Sequence, residues 1–233
     1  MIFYDRLVDP GVLELARRDA ERVYVGKVVG ACAWPQEKIN ALIVAEARKG
    51  RNVVRLKSGD PGIFGRAGEE IAAAKAAGIR VEVVPGVTAA CAAGASAGIS
   101  LTERGMTDTL VLATATGADG QILPECLRFA GPGTSTAFYM ATRQAGMIQQ
   151  ALLARGLPPE SEITIAVDAS KPTERSFSCD VQSLSALIEQ ENITGCAVIL
   201  IRWAREKSGE IGQIPQKSEL ISRRAPNQTR SVA

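Results

Sequence analysis

Strand signals and helix signals alternate along the first half of this chain, and that alternation limits the possible folds more than any single motif does. "MIFYDRLV" and "RVYVG" read as short buried strands, with the helix-like "PGVLELARRDA" between them and Pro10 near its start. "PQEKINALIVAEARKG" sets Ile39, Leu42, Ile43 and Ala47 on one helical face, and Gly50 follows as a stop signal. Strand "NVVRL", helix "GEEIAAAKAAG" and strand "RVEVVPG" come next. Then "TAACAAGASAG" reads as a helix of small residues, suited to close packing against a sheet or a cofactor. This series predicts a parallel sheet with helices on both faces, because each parallel strand needs a crossover to reach its neighbour. In such sheets ligands bind beyond the carboxyl ends of the strands. Asp5, Lys27 and the loop Ser58-Gly59-Asp60-Pro61-Gly62 fall on that rim.

The second half is ordered differently. "DTLVLATA" and "STAFYMA" read as strands, and "RQAGMIQQALLARG" reads as a helix. "EITIAVDAS" and "RSFSCDV" predict an antiparallel pair around Lys171-Pro172. "SLSALIEQEN" predicts a helix capped by Ser183 or Ser185, and "GCAVILIRWA" a last buried strand. The expectation is an N-terminal α/β domain over 1–105, with the boundary near Gly105, and a mixed-sheet α/β domain over 106–205. Residues 206–233 are polar and aperiodic, which predicts a disordered tail.

Composition removes whole classes of chemistry. The chain has no histidine, so Ser-His-Asp triads, histidine-ligated metals and histidine bases are excluded. Proton transfer falls to Asp, Glu, Lys, Tyr or Cys. The five cysteines, Cys32, Cys91, Cys126, Cys179 and Cys196, form no Cys-x-x-Cys pair and read as reduced, mostly buried thiols. No metal is expected. A net charge of +2, from 27 basic and 25 acidic residues, gives no ground for nucleic acid or a membrane as partner. Asp5 and Arg6 interrupt any signal-peptide core, and no run approaches the ~18 apolar residues of a membrane span, so the cytoplasm is the expected compartment. Neither Gly-x-Gly-x-x-Gly nor a P-loop is present, which disfavours nicotinamide and nucleoside triphosphate sites.

Each candidate site has an ordinary structural explanation beside the functional one. Ser58–Gly62 makes a tight turn in either case, but its place after a buried strand favours ligand contact, and Gly59 lets a backbone come close. Asp5 and Lys27 are either surface charges or an acid–base pair on one crevice rim. "PGVTAA" turns from strand to helix with free amides at Thr88 and Ala89. Arg6, Arg66, Arg104 and Arg143 near the loops are solvated charges singly and a carboxylate-binding set together.

"YDRLV", "VYVGK", "VVRLKSGDPGIFGRAGEE", "VEVVPGVTAACAAGASAGISLTER", "FYMA" and "CAVILI" occur in this order over Ile2 to Ala204, and together they resemble the tetrapyrrole methylases, in particular the uroporphyrinogen-III C-methyltransferase branch. The resemblance implies two α/β domains, a homodimer, and a cleft holding S-adenosyl-L-methionine as methyl donor to a tetrapyrrole on the way to precorrin-2, sirohaem and cobalamin. It implies Asp5 as proton acceptor and Lys27 as proton donor. It implies Ser58, Gly59, Asp60, Ile63, Thr88, Ala89, Met140 and Ala169 as donor contacts.

This sequence departs from the family's pattern at several points. The family's first strand and its Gly-x-Gly-Pro-Gly-Asp loop normally precede "YDRLV", and the sequence opens at Met1-Ile2-Phe3-Tyr4-Asp5 without them. The expectation is unpaired backbone and exposed apolar surface beside the strands that remain. Ser58, Glu103, Thr114 to Thr116, Ala141 and Arg202 also depart from the pattern, with Glu103 at a usual His and Arg202 at a usual Gly. Three readings stay open: the methyltransferase, a non-catalytic homologue, and a methylase of a related corrinoid precursor.

Overall fold

The computed structural model describes residues 1–26, 34–117, 122 and 124–205. Lys27, Cys32 and the expected disordered tail 206–233 lie outside the described residues.

The first sheet is parallel, in the order β2 (Arg22–Tyr24), β1 (Ile2–Tyr4), β3 (Val54–Leu56), with Phe3 opposite both Val23 and Arg55. The helices α2 (Gln36–Arg48) and α3 (Ala67–Ala76) follow the predicted segments and pack on each other. Ile39 and Ile43 of α2 bury against Phe3 and Val25, as the helical spacing required.

Two expectations fail here. The helix expected over "PGVLELARRDA" is only one turn, α1 (Pro10–Leu13), started by Pro10 and capped by the Asp9 carboxylate, which accepts from Gly11 N at 2.8 Å. It buries no residue, and Leu15 just beyond is 86% exposed, so no packing energy extends the helix. "RVEVVPG" is not a strand, because no described strand lies alongside to complete a ladder. Among the described residues, one edge of β3 also has no partner strand. Val54, Val83, Val84 and Val87 are 45%, 53%, 72% and 68% exposed.

The second sheet runs β4 (Thr109–Thr114), β5 (Thr134–Tyr139), β8 (Ala197–Trp203), β6 (Glu162–Val167), β7 (Arg175–Asp180). Only β4 and β5 are parallel, and β6 and β7 form the expected antiparallel pair. Period-two alternation sorts its residues between two faces. Phe138, Ile163, Ile165, Ile199 and Ile201 face α5 (Ala145–Ala154) and α6 (Leu184–Gln190), forming the main core with Ile148, Leu152 and Leu184. Ala137, Ala166, Val198 and Leu200 face the other way and receive α4 (Ala89–Ser96) through Ala90 and Ala93. The small-residue helix thus packs on the second sheet rather than the first. Its alanines let the backbone come close without a gap.

Ser183 occupies the position before α6 but its side chain makes no capping bond, and Ser185 N donates to Gln149 Oε1 instead. A 3-10 turn over Val181–Ser183 leads straight into the helix and leaves Ser183 in near-helical backbone rather than the extended form a cap needs.

Candidate active site

β1 and β3 end side by side, with Tyr4 opposite Leu56, so Asp5 and the loop after Lys57 leave the sheet together. The Asp60 carboxylate accepts from Gly62 N at 2.8 Å and from Gly86 N at 3.0 Å. One side chain thus fastens the 58–62 turn to the 86–88 turn. The two backbones touch: a Cβ at Gly86 would lie 2.2 Å from Gly59 O, so only glycine fits. Gly59 itself has φ +71° and packs against Thr88 and Ala89. Gly59 and Asp60 of the first turn and Gly86, Thr88 and Ala89 of the second therefore form one assembly, with Ser58 next to Gly59 in the chain.

The second sheet closes this assembly through Tyr139. Its hydroxyl lies 2.7 Å from Thr88 Oγ1 and accepts from Ala90 N at 2.9 Å, capping α4 from outside its own segment. The Phe64 ring stands 4.9 Å from the Tyr139 ring. Met140 follows Tyr139, half exposed, and Ala169 packs in the same apolar cluster as Ala89 and Tyr139. A cavity of about 440 Å³ opens here, lined by Asp60, Ile63, Gly86, Val87, Thr88 and Leu112. Phe64, Arg66, Met140, Asp168 and Ser170 all hold positive φ. Strained backbone of this kind, costing about 1–3 kcal/mol per residue, gathers at ligand sites.

Asp5 is held at both oxygens. Oδ1 accepts from Leu7 N at 3.1 Å and Oδ2 from Arg55 Nη2 at 3.0 Å. Arg55 Nε continues to Glu70 Oε1 at 3.1 Å, Lys57 Nζ sits 2.9 Å from Glu70 Oε2, and Lys57 also donates to Gly65 O. Burial pushes the Lys57 ammonium pKa below its usual range, while the Glu70 carboxylate opposes that shift.

The arginines are less uniform. Arg6, Arg104 and Arg143 are exposed, whereas the Arg66 guanidinium is engaged by both oxygens of Glu69 at 2.7 Å. Lys27 lies outside the described residues. Sequence reading missed Arg55, Lys57, Glu70, Phe64 and Tyr139. The first three left a signal: Arg55 lies in β3 and Lys57 just past its end, two residues on in extended chain and so on the same side, and Glu70 falls in the first turn of the next helix. Tyr139 left none, because its partners are 51 and 49 residues away.

The sequence profile of the Tetrapyrrole (Corrin/Porphyrin) Methylases matches residues 1–185. The chain belongs to the tetrapyrrole methylase family. A siroheme synthase of Edwardsiella ictaluri is 45% identical over 188 residues, 80% of this chain and 40% of that protein. A siroheme synthase of Escherichia coli is 41% identical over 199 residues, 85% of this chain and 43% of that protein. This tetrapyrrole methylase thus spans about two fifths of the length of these relatives. Among solved structures, uroporphyrin-III C-methyltransferase of Thermus thermophilus in complex with S-adenosylhomocysteine superposes with a TM-score of 0.68 at 33% identity, covering 85% of this chain and 84% of that one. As in other tetrapyrrole methylases, the chain is an α/β protein of two sheets.

Proposed function

We propose that this chain transfers methyl groups from S-adenosyl-L-methionine to carbons of uroporphyrinogen III, yielding precorrin-2 in sirohaem and cobalamin biosynthesis, and that it works as a homodimer in the cytoplasm with two domains parting near Gly105. The observation that carries the reading is one cavity lined by Asp60 and Thr88 from the two turns and Leu112 from the second sheet, with Tyr139 of that sheet bonded to Thr88. A relative of known structure, 33% identical, binds S-adenosylhomocysteine.

The residues present fit the methyl donor. Small side chains at Gly59, Gly86 and Ala89 leave backbone accessible, Ile63, Val87 and Leu112 supply apolar surface, and the start of α4 offers amides without intrahelical acceptors. Ser58, Gly59, Asp60, Ile63, Thr88, Ala89, Met140 and Ala169 hold it. When bound, the donor's sulfonium supplies an already activated methyl group, so no covalent enzyme intermediate is required. The protein's work is to align the pyrrole carbon and exclude water. Asp5, held by Leu7 N and Arg55, accepts the proton that the methylated ring must lose, and Lys27 is the proton donor. Arg6, Arg104 and Arg143 pair with substrate carboxylates, and Arg66 does so by exchanging Glu69 for them.

The test is twofold. Calorimetry with S-adenosylhomocysteine should show saturable binding, and mass spectrometry should count methyl groups added to uroporphyrinogen III under anaerobic conditions. Binding without turnover identifies a non-catalytic homologue. Asp5→Asn should lower turnover by about a hundredfold or more while sparing donor binding; turnover near wild type would remove Asp5 as the base.

A further inference from the structure

Four charged side chains of alternating sign run through the first lobe as one chain: Asp5, Arg55, Glu70, Lys57. Their side chains are 27%, 14%, 7% and 8% exposed, so the inner three are largely withdrawn from water. A buried ionic chain of this kind contributes little net stability compared with apolar packing, and removing one member leaves its partners uncompensated. Such a cluster at the rim of a reaction site calls for a reason other than stability.

Glu70 is the hub. It meets Arg55 Nε through Oε1 and Lys57 Nζ through Oε2, and Gln36 Nε2 donates to Oε1 at 3.2 Å. Arg55 uses its other end, Nη2, to reach Asp5, so the planar guanidinium spans the two carboxylates as a rigid bar. Lys57, in turn, donates to Gly65 O in the segment that carries Ile63 against the cavity and Phe64 against the Tyr139 ring. A Cβ at Gly65 would lie 2.8 Å from Pro61 O, so this turn is tightly folded and its position follows Lys57.

We propose that Glu70 is a positioning residue that sets two things at once: through Arg55 the orientation of the Asp5 carboxylate, and through Lys57 the placement of the 61–65 turn against the methyl donor. This rests on the methyltransferase reading and on Asp5 as its base. Glu70 touches neither substrate nor donor. One buried carboxylate fixes the base and the donor turn in a common frame, so the distance between the proton acceptor and the methylated carbon is held.

A double-mutant cycle with turnover as readout tests this. Glu70→Gln keeps the shape and removes the charge. With S-adenosyl-L-methionine saturating, so that a weakened donor turn does not limit, it should lower kcat by about tenfold, yet add less than about twofold when Asp5 is already Asn, because the part of its effect that acts through Asp5 has nothing left to position. Equal factors in both backgrounds would show a merely structural role and overturn the proposal. Should Glu70→Gln fail to fold, Arg55→Lys serves: it keeps the charge but cannot bridge two carboxylates, and should give the same non-additive loss with S-adenosylhomocysteine affinity unchanged. On the other arm, Lys57→Met should weaken S-adenosylhomocysteine binding measured by calorimetry; unchanged affinity would overturn the donor-turn half. If wild type shows no turnover, the methyltransferase reading fails and this inference with it; if Asp5→Asn turns over at the wild-type rate, Asp5 is not the base and this inference fails while the methyltransferase reading stands. An essential Asp5 with additive losses sinks the inference alone.

Discussion

Glu103 and Arg202 read in the sequence as separate departures from a family pattern, and in the structure they are partners. Arg202 Nη2 lies 2.5 Å from Glu103 Oε2, joining the segment before β4 to the last strand. Both side chains keep substantial exposure, so solvent screens the pair, and a double-mutant cycle of Glu103→Gln and Arg202→Met read by urea unfolding should give a coupling under about 1 kcal/mol. A larger value would mean the pair is more enclosed than its exposure indicates. Lys57 makes a prediction of a different kind. Its pKa is lowered from the usual 10.5, chiefly by burial, so at pH values between the lowered value and 10.5 the unfolded chain binds more protons than the folded one. Stability should therefore rise with pH through that window on account of this group, and Lys57→Met should remove that part of the slope in urea midpoints taken across it.

Among the elements, what could be read locally was read well. Alternating residues in "EITIAVDAS" and "RSFSCDV" gave the β6–β7 pair, and the 3.6-residue spacing of Ile39 and Ile43 gave the buried face of α2. The failures share one cause, which is that their outcome depends on a partner distant in the chain. "RVEVVPG" has the composition of a strand but needs a neighbour, and "PGVLELARRDA" has helix formers but nothing to bury against. The same holds for the candidate site: Gly59, Asp60 and Thr88 sit in turns that sequence marks plainly, whereas Tyr139 joins them only by reaching across to Thr88 and the start of α4. Tyr139→Phe leaves Ala90 N and Thr88 Oγ1 without their partner and should cost about 1–2 kcal/mol in urea unfolding, together with weaker S-adenosylhomocysteine binding. The open valine surface carries its own expectation: Val84→Lys should reduce self-association in light scattering without lowering Tm, since the side chain is already 72% exposed.

At the scale of the molecule, the cavity is built from both sheets, so a ligand that fills it ties them together. Binding to the folded state alone should stabilise by about 2.7 kcal/mol at a hundredfold excess over Kd. For a chain of this size that corresponds to a Tm rise of roughly 5–10 °C with S-adenosylhomocysteine. No rise at saturating ligand would contradict a site shared between the sheets.

The seat of α4 has a consequence for how the chain can be divided. It is encoded with the first sheet, ahead of Gly105, yet Ala90 and Ala93 are buried on Ala137, Ala166, Val198 and Leu200 of the second. A scission or fusion joint placed at Gly105 would strand this helix with the wrong fragment and strip the second sheet of its cover. A joint ahead of α4, near Pro85, would carry the helix along with its cover, and fragments cut there are the ones that should reassemble when mixed.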